Sequence, residues 1–260
     1  MSIAENEEAH RVRFGATVSA IARAFRFAAP AILITWAVYF GIHALPVILE
    51  LAKVTIPRLP FGPPGWTTGL PITVATAVTS GLFIRWLLVR TPDALRPDGR
   101  LAAYVGLLVL AFLIDSFVLF ALMPDLRGRT TISQSLGLIG RGVVSLLIDL
   151  VLAFLVLWPV GLLVGDRLSP GQAIARMRQA ILTFVGVYLL LGVPPVLIIT
   201  GRMIVSRAVR LGPGERLANL ALSSVIGTLA FVLLAQVYSR RIRGCDLGQD
   251  PPGALADVFE

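Results

Sequence analysis

The sequence predicts an all-α integral membrane protein with six transmembrane helices, and three observations support this fold class. Hydrophobic residues make up 56% of the 260 residues, only 15% are charged, and the mean hydropathy is +0.83. A soluble chain of this length would need far more polar surface. Six apolar runs each approach the roughly 20 residues that cross the hydrocarbon core as a helix. Arginines cluster at the ends of these runs, where membrane helices are anchored and oriented.

The six predicted spans divide the chain into three parts. Residues 27–243 form the predicted transmembrane domain, preceded by a cytoplasmic amphipathic segment, 1–26, and followed by a polar, disordered tail, 244–260. The fifth span contains Pro194-Pro195, which predicts a kink or an early end, because proline removes a backbone donor and clashes with the preceding turn. The spans are 27–50, 70–90, 101–123, 142–165, 179–200 and 217–239.

The segment before the first span, "FGATVSAIARAFRF", predicts an amphipathic helix that lies on the cytoplasmic surface. Arg23 and Arg26 fall elsewhere on the helical wheel than the apolar residues, which is the pattern of an interfacial helix. The apolar residues at helical spacing are Phe14, Val18, Ile21 and Phe25.

A second interfacial helix is predicted between spans four and five, in "GDRLSPGQAIARMRQAILTF". Ser169 is a suitable N-cap, Pro170 a suitable first helical residue and Gln172 a suitable capping-box partner, so the helix should begin at Pro170. Its basic side chains predict contact with anionic lipid headgroups. The candidate headgroup contacts are Arg167, Arg176 and Arg178.

The basic residues also predict the orientation in the membrane. With the termini and alternate loops on one side, that side holds 14 of the 23 basic residues and the other side holds 9. The positive-inside rule then places both termini in the cytoplasm. All basic residues except Lys53 are arginine, which suggests a GC-rich bacterial genome. The start, "MSIAENEEAH", does not resemble a cleavable signal peptide.

Motifs of soluble enzymes are absent from the sequence. It contains no GxSxG, HExxH, Walker A or CxxC pattern, and its two histidines, His10 and His43, exclude a histidine-rich metal site within one chain. We therefore expect no catalytic residue, no metal and no cofactor. The arginines serve the span ends, so we expect membrane lipids as partners, with a second copy or another membrane protein also open, and no nucleic acid.

Two aspartates inside apolar runs are the strongest remaining signal: Asp115 in "AFLIDSFVLF" and Asp149 in "LLIDLVLAFL". At 1.5 Å rise per residue, Asp115 lies roughly 12 Å below the outer end of span three, and Asp149 roughly 10 Å below the start of span four. His43 in span one falls at a similar depth, so the three are predicted to share one layer. Charged groups there are costly and usually face the bundle interior.

Two interpretations of this layer remain open. It is either a closed structural network, in which Ser145 and Arg141 reach Asp149, or a proton or cation site built from the imidazole and two carboxylates. A third interpretation is a lipid-modifying enzyme that uses Asp166 and Arg167 with Arg176 and Arg178 at the headgroup level.

Three segments resemble a known family. "GATVSAIARAFRF", "LWPVGLLVGDRLSPGQAIARMRQAILTFVGVYLLL" and "LAFVLLAQVYSRRI" are similar to the opening, middle and closing segments of the six-helix bacterial proteins grouped as YciC-like, or as the membrane domain of glycerophosphodiester phosphodiesterases. The resemblance implies an all-helical inner-membrane protein and covers most of the chain in layout. It assigns no catalytic residue, since six spans leave no room for a phosphodiesterase domain. The expected function is a non-catalytic envelope scaffold or membrane-organising protein, with a small proton- or cation-coupled transporter as the alternative.

Overall fold

The computed structural model describes residues 12–54, 66–122, 148, 151–190 and 212–247. This part of the chain is 86% helix and contains no strand, so the predicted all-α class is confirmed for it. Its main helices, in chain order, are α1 (Phe14–Leu51), α2 (Trp66–Val89), α3 (Gly99–Leu122), α4 (Val151–Val164), α5 (Pro170–Arg178), α6 (Ile181–Leu190) and α7 (Pro213–Tyr238), the last continuing as a π-helical turn, Ser239–Arg243.

Four of these helices, α1, α2, α3 and α7, are long and apolar enough to cross a membrane. The pair α5 and α6 is bent by 70° and would count as a fifth span if taken together. The described helices α4 and α6 fall within the predicted fourth and fifth spans, whose other residues, 142–147 and 191–200 among them, lie outside the described part. The structure thus supports four to five spans by length and composition.

Helix α1 differs from the prediction at its N-terminal end. Its 38 residues extend for about 57 Å, well beyond the ~30 Å hydrocarbon core, and residues 14–26 continue into the span without a break. Of the four residues of the predicted apolar face, Phe14, Val18 and Phe25 are exposed, whereas Ile21 is buried. Ile21 lies with Ala24 and Ala28 on the face that packs into the bundle. The small alanine side chains on this face let neighbouring helices approach closely.

The connection between α4 and α5 matches its sequence signals. Gly165 ends α4 in the left-handed conformation (φ 86°), and the N–H of Asp166 donates to the carbonyl of Gly161 at 2.9 Å, as in a Schellman motif. Helix α5 then begins at Pro170, with both hydrogen bonds of the capping box between Ser169 and Gln172 formed. The predicted start of this helix is confirmed.

The buried apolar core lies toward one end of the bundle. Helix α2 packs against α3 through Gly81, and the C-terminal half of α7 is buried from Val232 to Tyr238. Ala173 and Met177 of the amphipathic helix α5 also belong to this core. At the other end, Glu50 and Arg216 join α1 to α7 through a 2.6 Å ion pair.

The chain after α7 folds back onto the bundle, so the prediction of disorder is wrong for residues 244–247. Gly244 adopts a left-handed conformation (φ 72°), and Cys245 and Leu247 are buried. The amide of Gln236, itself buried, accepts from the Leu247 N–H at 2.8 Å and donates to Asp246 at 2.7 Å. A buried amide that needs both partners fixes this turn. Residues 248–260 of the predicted tail lie outside the described part.

Candidate functional site

The end of the bundle that holds the core also gathers most of the arginines, and we call it the basic end. It comprises residues 23–26, 85–100, 166–178 and 236–247, which together contain 12 arginines, 4 aspartates and no other Asp, Glu, Lys or His. Long-range contacts join these segments: Arg23 pairs with Asp246 at 2.8 Å, and Arg243 donates to the carbonyl of Leu88 at 2.6 Å. A surface with this charge excess attracts anions.

Asp166 is held by a side chain at the C-terminal end of α7. The hydroxyl of Tyr238, on a fully buried side chain, donates to Oδ2 of Asp166 at 2.5 Å. The guanidinium of Arg243 lies 3.9 Å from the same oxygen. The Schellman turn after Gly165 brings Asp166 to this position, so a local helix stop creates a contact across 72 residues of sequence.

Helix α5 is clasped to the end of α7 by two arginines. Arg241, which is buried, donates from Nε to the carbonyl of Arg176 at 3.0 Å and from Nη2 to the side chain of Gln179. In return, Arg176 donates to the carbonyl of Arg241 at 2.9 Å. These carbonyls belong to helix C-termini, where positive charge is favoured, so the clasp offsets part of the cost of burying Arg241.

The remaining aspartates of the basic end are also engaged. Asp246 pairs with Arg23 and accepts from Gln236, and Arg240 lies 3.9 Å from it. Asp93 pairs with Arg96 on the surface at 3.2 Å.

Asp98 caps the start of α3. It accepts from the Leu101 N–H at 2.9 Å and from Arg85 at 2.8 Å. The hydrogen bond from the Leu101 backbone, reinforced by Arg85, holds the pKa of the Asp98 carboxyl below its ordinary value.

The three predicted headgroup contacts all lie on the surface of the basic end, but they differ in their surroundings. Arg167 and Arg178 are exposed and make no hydrogen bond or ion pair within the described part. Arg176 is exposed too, yet one of its donors is used by the clasp with Arg241. The sequence did not predict the hydrogen bonds of Tyr238, Gln236 and Arg241, because these bonds join segments that are distant in the sequence.

The predicted intramembrane layer is only partly described, since Asp149 and Arg141 lie outside the described residues. His43 is half-buried in α1, 3.3 Å from the hydroxyl of Thr76, and its ring packs at a 51° tilt against the ring of Tyr39. Asp115 lies three residues beyond Phe112, whose ring contacts Gly69 near the start of α2.

The contacts along α2 place His43 and Asp115 at different depths. Thr76, beside His43, is seven residues after Gly69, which is about 10 Å along α2. Phe112 lies beside Gly69, and Asp115 is almost one turn of α3 beyond Phe112, on the side of Gly69 away from Thr76. The structure therefore does not bring these two predicted site residues together. Asp115 faces the bundle interior on the same stripe of α3 as Tyr104 and Phe112, and its Oδ1 is buried with no hydrogen-bond partner.

No family model, curated protein or solved structure matches this chain. Among the described residues, no group of three His, Cys, Asp or Glu side chains is placed to hold a metal ion. The arrangement that the structure does show is a surface of arginine donors at one end of the bundle, with the aspartates of that surface already engaged by protein groups.

Proposed function

We propose that this chain is a bacterial inner-membrane protein that acts as a non-catalytic scaffold, holding anionic lipid headgroups at its basic end. One observation carries the proposal. The four aspartates of the basic end are all engaged by protein groups, whereas Arg167 and Arg178 are exposed and unpaired within the described part. The charges of these two arginines thus have no protein partner in the described part and are available to headgroup phosphates.

The proposal includes six spans with both termini cytoplasmic. The termini-side segments carry 14 of the 23 basic residues, and α4 and α6 begin or end at the basic end, as the fourth and fifth spans would. On this orientation the basic end faces the cytoplasm, where anionic lipids attract basic segments at about 1 kcal/mol per residue. The resemblance of residues 157–191 to the YciC-like proteins supports the same layout.

The test is the effect of lipid charge on the stability of the purified protein. We would reconstitute it in nanodiscs of phosphatidylcholine alone and of phosphatidylcholine with phosphatidylglycerol, and measure Tm in each. A headgroup-binding protein should melt higher with phosphatidylglycerol, because a ligand that binds only the folded state stabilises it. The gain should shrink as salt is raised. Equal Tm values in the two lipid compositions would contradict the proposal.

Transport of protons or cations is a second candidate, and the geometry of Asp115 favours it. A buried carboxylate oxygen without a partner on the inward face of a membrane helix is costly and often marks an ion or proton pathway. Asp149 remains the proposed partner acid.

The transport candidate is tested by proton and cation flux in liposomes. We would compare the wild type with Asp115→Asn/Asp149→Asn and measure the Tm of both in detergent. Flux that disappears in an equally stable variant would establish transport. No flux in either protein, together with a shifted Tm, would make the acids structural and leave the scaffold as the only candidate.

A further inference from the structure

The turn between α4 and α5 holds a guanidinium with no protein acceptor. Arg100, from the first turn of α3, lies directly over Gly165, so close that any side chain at position 165 would overlap it. The left-handed conformation of Gly165 also disfavours any other residue. Arg100 is exposed and makes no hydrogen bond or close ion pair within the described part, although its charge helps to lower the pKa of the neighbouring Asp98 carboxyl. Its five N–H donors are therefore open to a ligand.

Two more arginines border the same turn. Arg243 uses Nη1 on the carbonyl of Leu88, while its Nη2 lies 3.9 Å from Asp166, beyond hydrogen-bond distance. Arg167 follows Asp166 directly and is exposed. Asp166 at the turn already accepts from Tyr238, and Asp98, whose charge interacts with Arg100, already accepts from the Leu101 N–H and from Arg85. Three arginines and these two aspartates give a formal charge of +1, with both carboxylates already engaged by protein donors.

This charge and donor set suits a phosphate group. Guanidinium groups bind phosphate through paired, charge-assisted hydrogen bonds. The turn lies where α3 begins and where α4 and the turn after α7 end, which is the level of lipid headgroups in a spanning bundle. Trp86 and Trp158, which pack against the core at this end, fit the aromatic belt of a membrane interface.

We propose that Arg100, Arg167 and Arg243, arranged around the turn at Gly165, bind one phosphate group of an anionic lipid headgroup. This inference rests on the proposed function and deepens it, since it assigns a single defined site within the basic end. A soluble phosphate ester presents the same chemistry and must be distinguished from a lipid by experiment.

The experiment compares two pairs of substitutions that remove the same charge from the same end. The site variant is Arg100→Gln/Arg167→Gln, and the control is Arg26→Gln/Arg96→Gln, two exposed arginines that are not among the proposed headgroup contacts, Arg96 forming only a surface ion pair with Asp93. For each protein we would measure the rise in Tm between phosphatidylcholine nanodiscs and those with phosphatidylglycerol. The site variant should lose most of the rise, and the control should keep most of it.

Gly165→Ala provides a further variant, because it displaces Arg100 without removing any charge. It too should lose most of the lipid-dependent rise, whatever its Tm in phosphatidylcholine alone. An arm with inorganic phosphate added to phosphatidylcholine nanodiscs separates the two sources of phosphate. If inorganic phosphate reproduces the rise, the lipid assignment is overturned.

The outcomes separate this site from the proposed function. Equal losses in the site and control variants would overturn the site and leave a diffuse basic surface that still binds anionic lipid. A wild type that gains nothing from phosphatidylglycerol would overturn both.

Discussion

At the scale of single residues, Asp98 makes stability depend on pH. Its pKa in the folded protein lies below the ordinary value of 3.8, chiefly because the carboxylate accepts from the Leu101 N–H and also from Arg85. The stabilisation is therefore fully present above pH 3.8 and is lost as the pH falls through the lower pKa of the folded state. Asp98→Asn should reduce Tm at neutral pH and flatten its fall in acid. Parallel acid-side slopes in variant and wild type would contradict this assignment.

The hydroxyl of Tyr238 offers a second prediction at the residue scale. Tyr238→Phe removes the donor to Asp166, and a lost hydrogen bond to a charged group should lower the free energy of unfolding by about 1.5–3 kcal/mol. Tyr188→Phe is the matched control, because Tyr188 is 47% exposed and no hydrogen bond of its hydroxyl is seen in the described part. Denaturant titration in detergent should show a loss for Tyr238→Phe and little change for Tyr188→Phe.

At the scale of elements, the capping box makes α5 a defined helix. Ser169→Ala removes the acceptor for the Gln172 N–H and should cost about 0.5–2 kcal/mol. Ser19→Ala is the control. The Ser19 hydroxyl donates only to the Gly15 carbonyl within α1, and alanine is a better helix former than serine, so this substitution should not lower Tm. A loss of Tm in Ser19→Ala as large as in Ser169→Ala would argue against a specific role for the cap.

The packing of α2 against α3 depends on a glycine. A Cβ at Gly81 would lie 2.7 Å from Leu101 and 3.0 Å from Tyr104, whereas one at Gly106 would meet nothing within 4 Å. Gly81→Ala should therefore destabilise the protein by about 1–3 kcal/mol through overpacking. Gly106→Ala should be neutral or slightly stabilising. Thermal unfolding of the two variants side by side measures the difference, and a neutral Gly81→Ala would mean that the two helices can separate without cost.

At the scale of the whole molecule, the proposed orientation predicts which residues face the outside of the cell. In a Cys245→Ala background, Gly171→Cys would lie at the basic end and Gly214→Cys at the opposite end. Both glycines are exposed, with nothing within 4 Å of an added Cβ. A membrane-impermeant thiol reagent should label Gly214→Cys in intact bacteria and Gly171→Cys only after permeabilisation. The reverse pattern would place the basic end outside and contradict the positive-inside argument.

The sequence by itself determined the features that depend on local pattern. Apolar length predicts the membrane helices, and the Ser169, Pro170 and Gln172 spacing predicts the start of α5, because a helix and its cap are decided by residues a few positions apart. The placement of Arg167 and Arg178 on an exposed basic surface also follows from position alone, since both flank or belong to an amphipathic segment between spans.

Only the tertiary structure decided which charges are engaged and which are left open. Asp166 meets Tyr238, and Asp246 meets Arg23, across 72 and 223 residues of sequence. Depth counted along single helices placed His43 and Asp115 in one layer, but the contacts of His43 and of Phe112, three residues before Asp115, with α2 separate them. Helix register and chain reversal depend on how distant side chains pack, and a period of 3.6 residues within one helix carries no information about its neighbours.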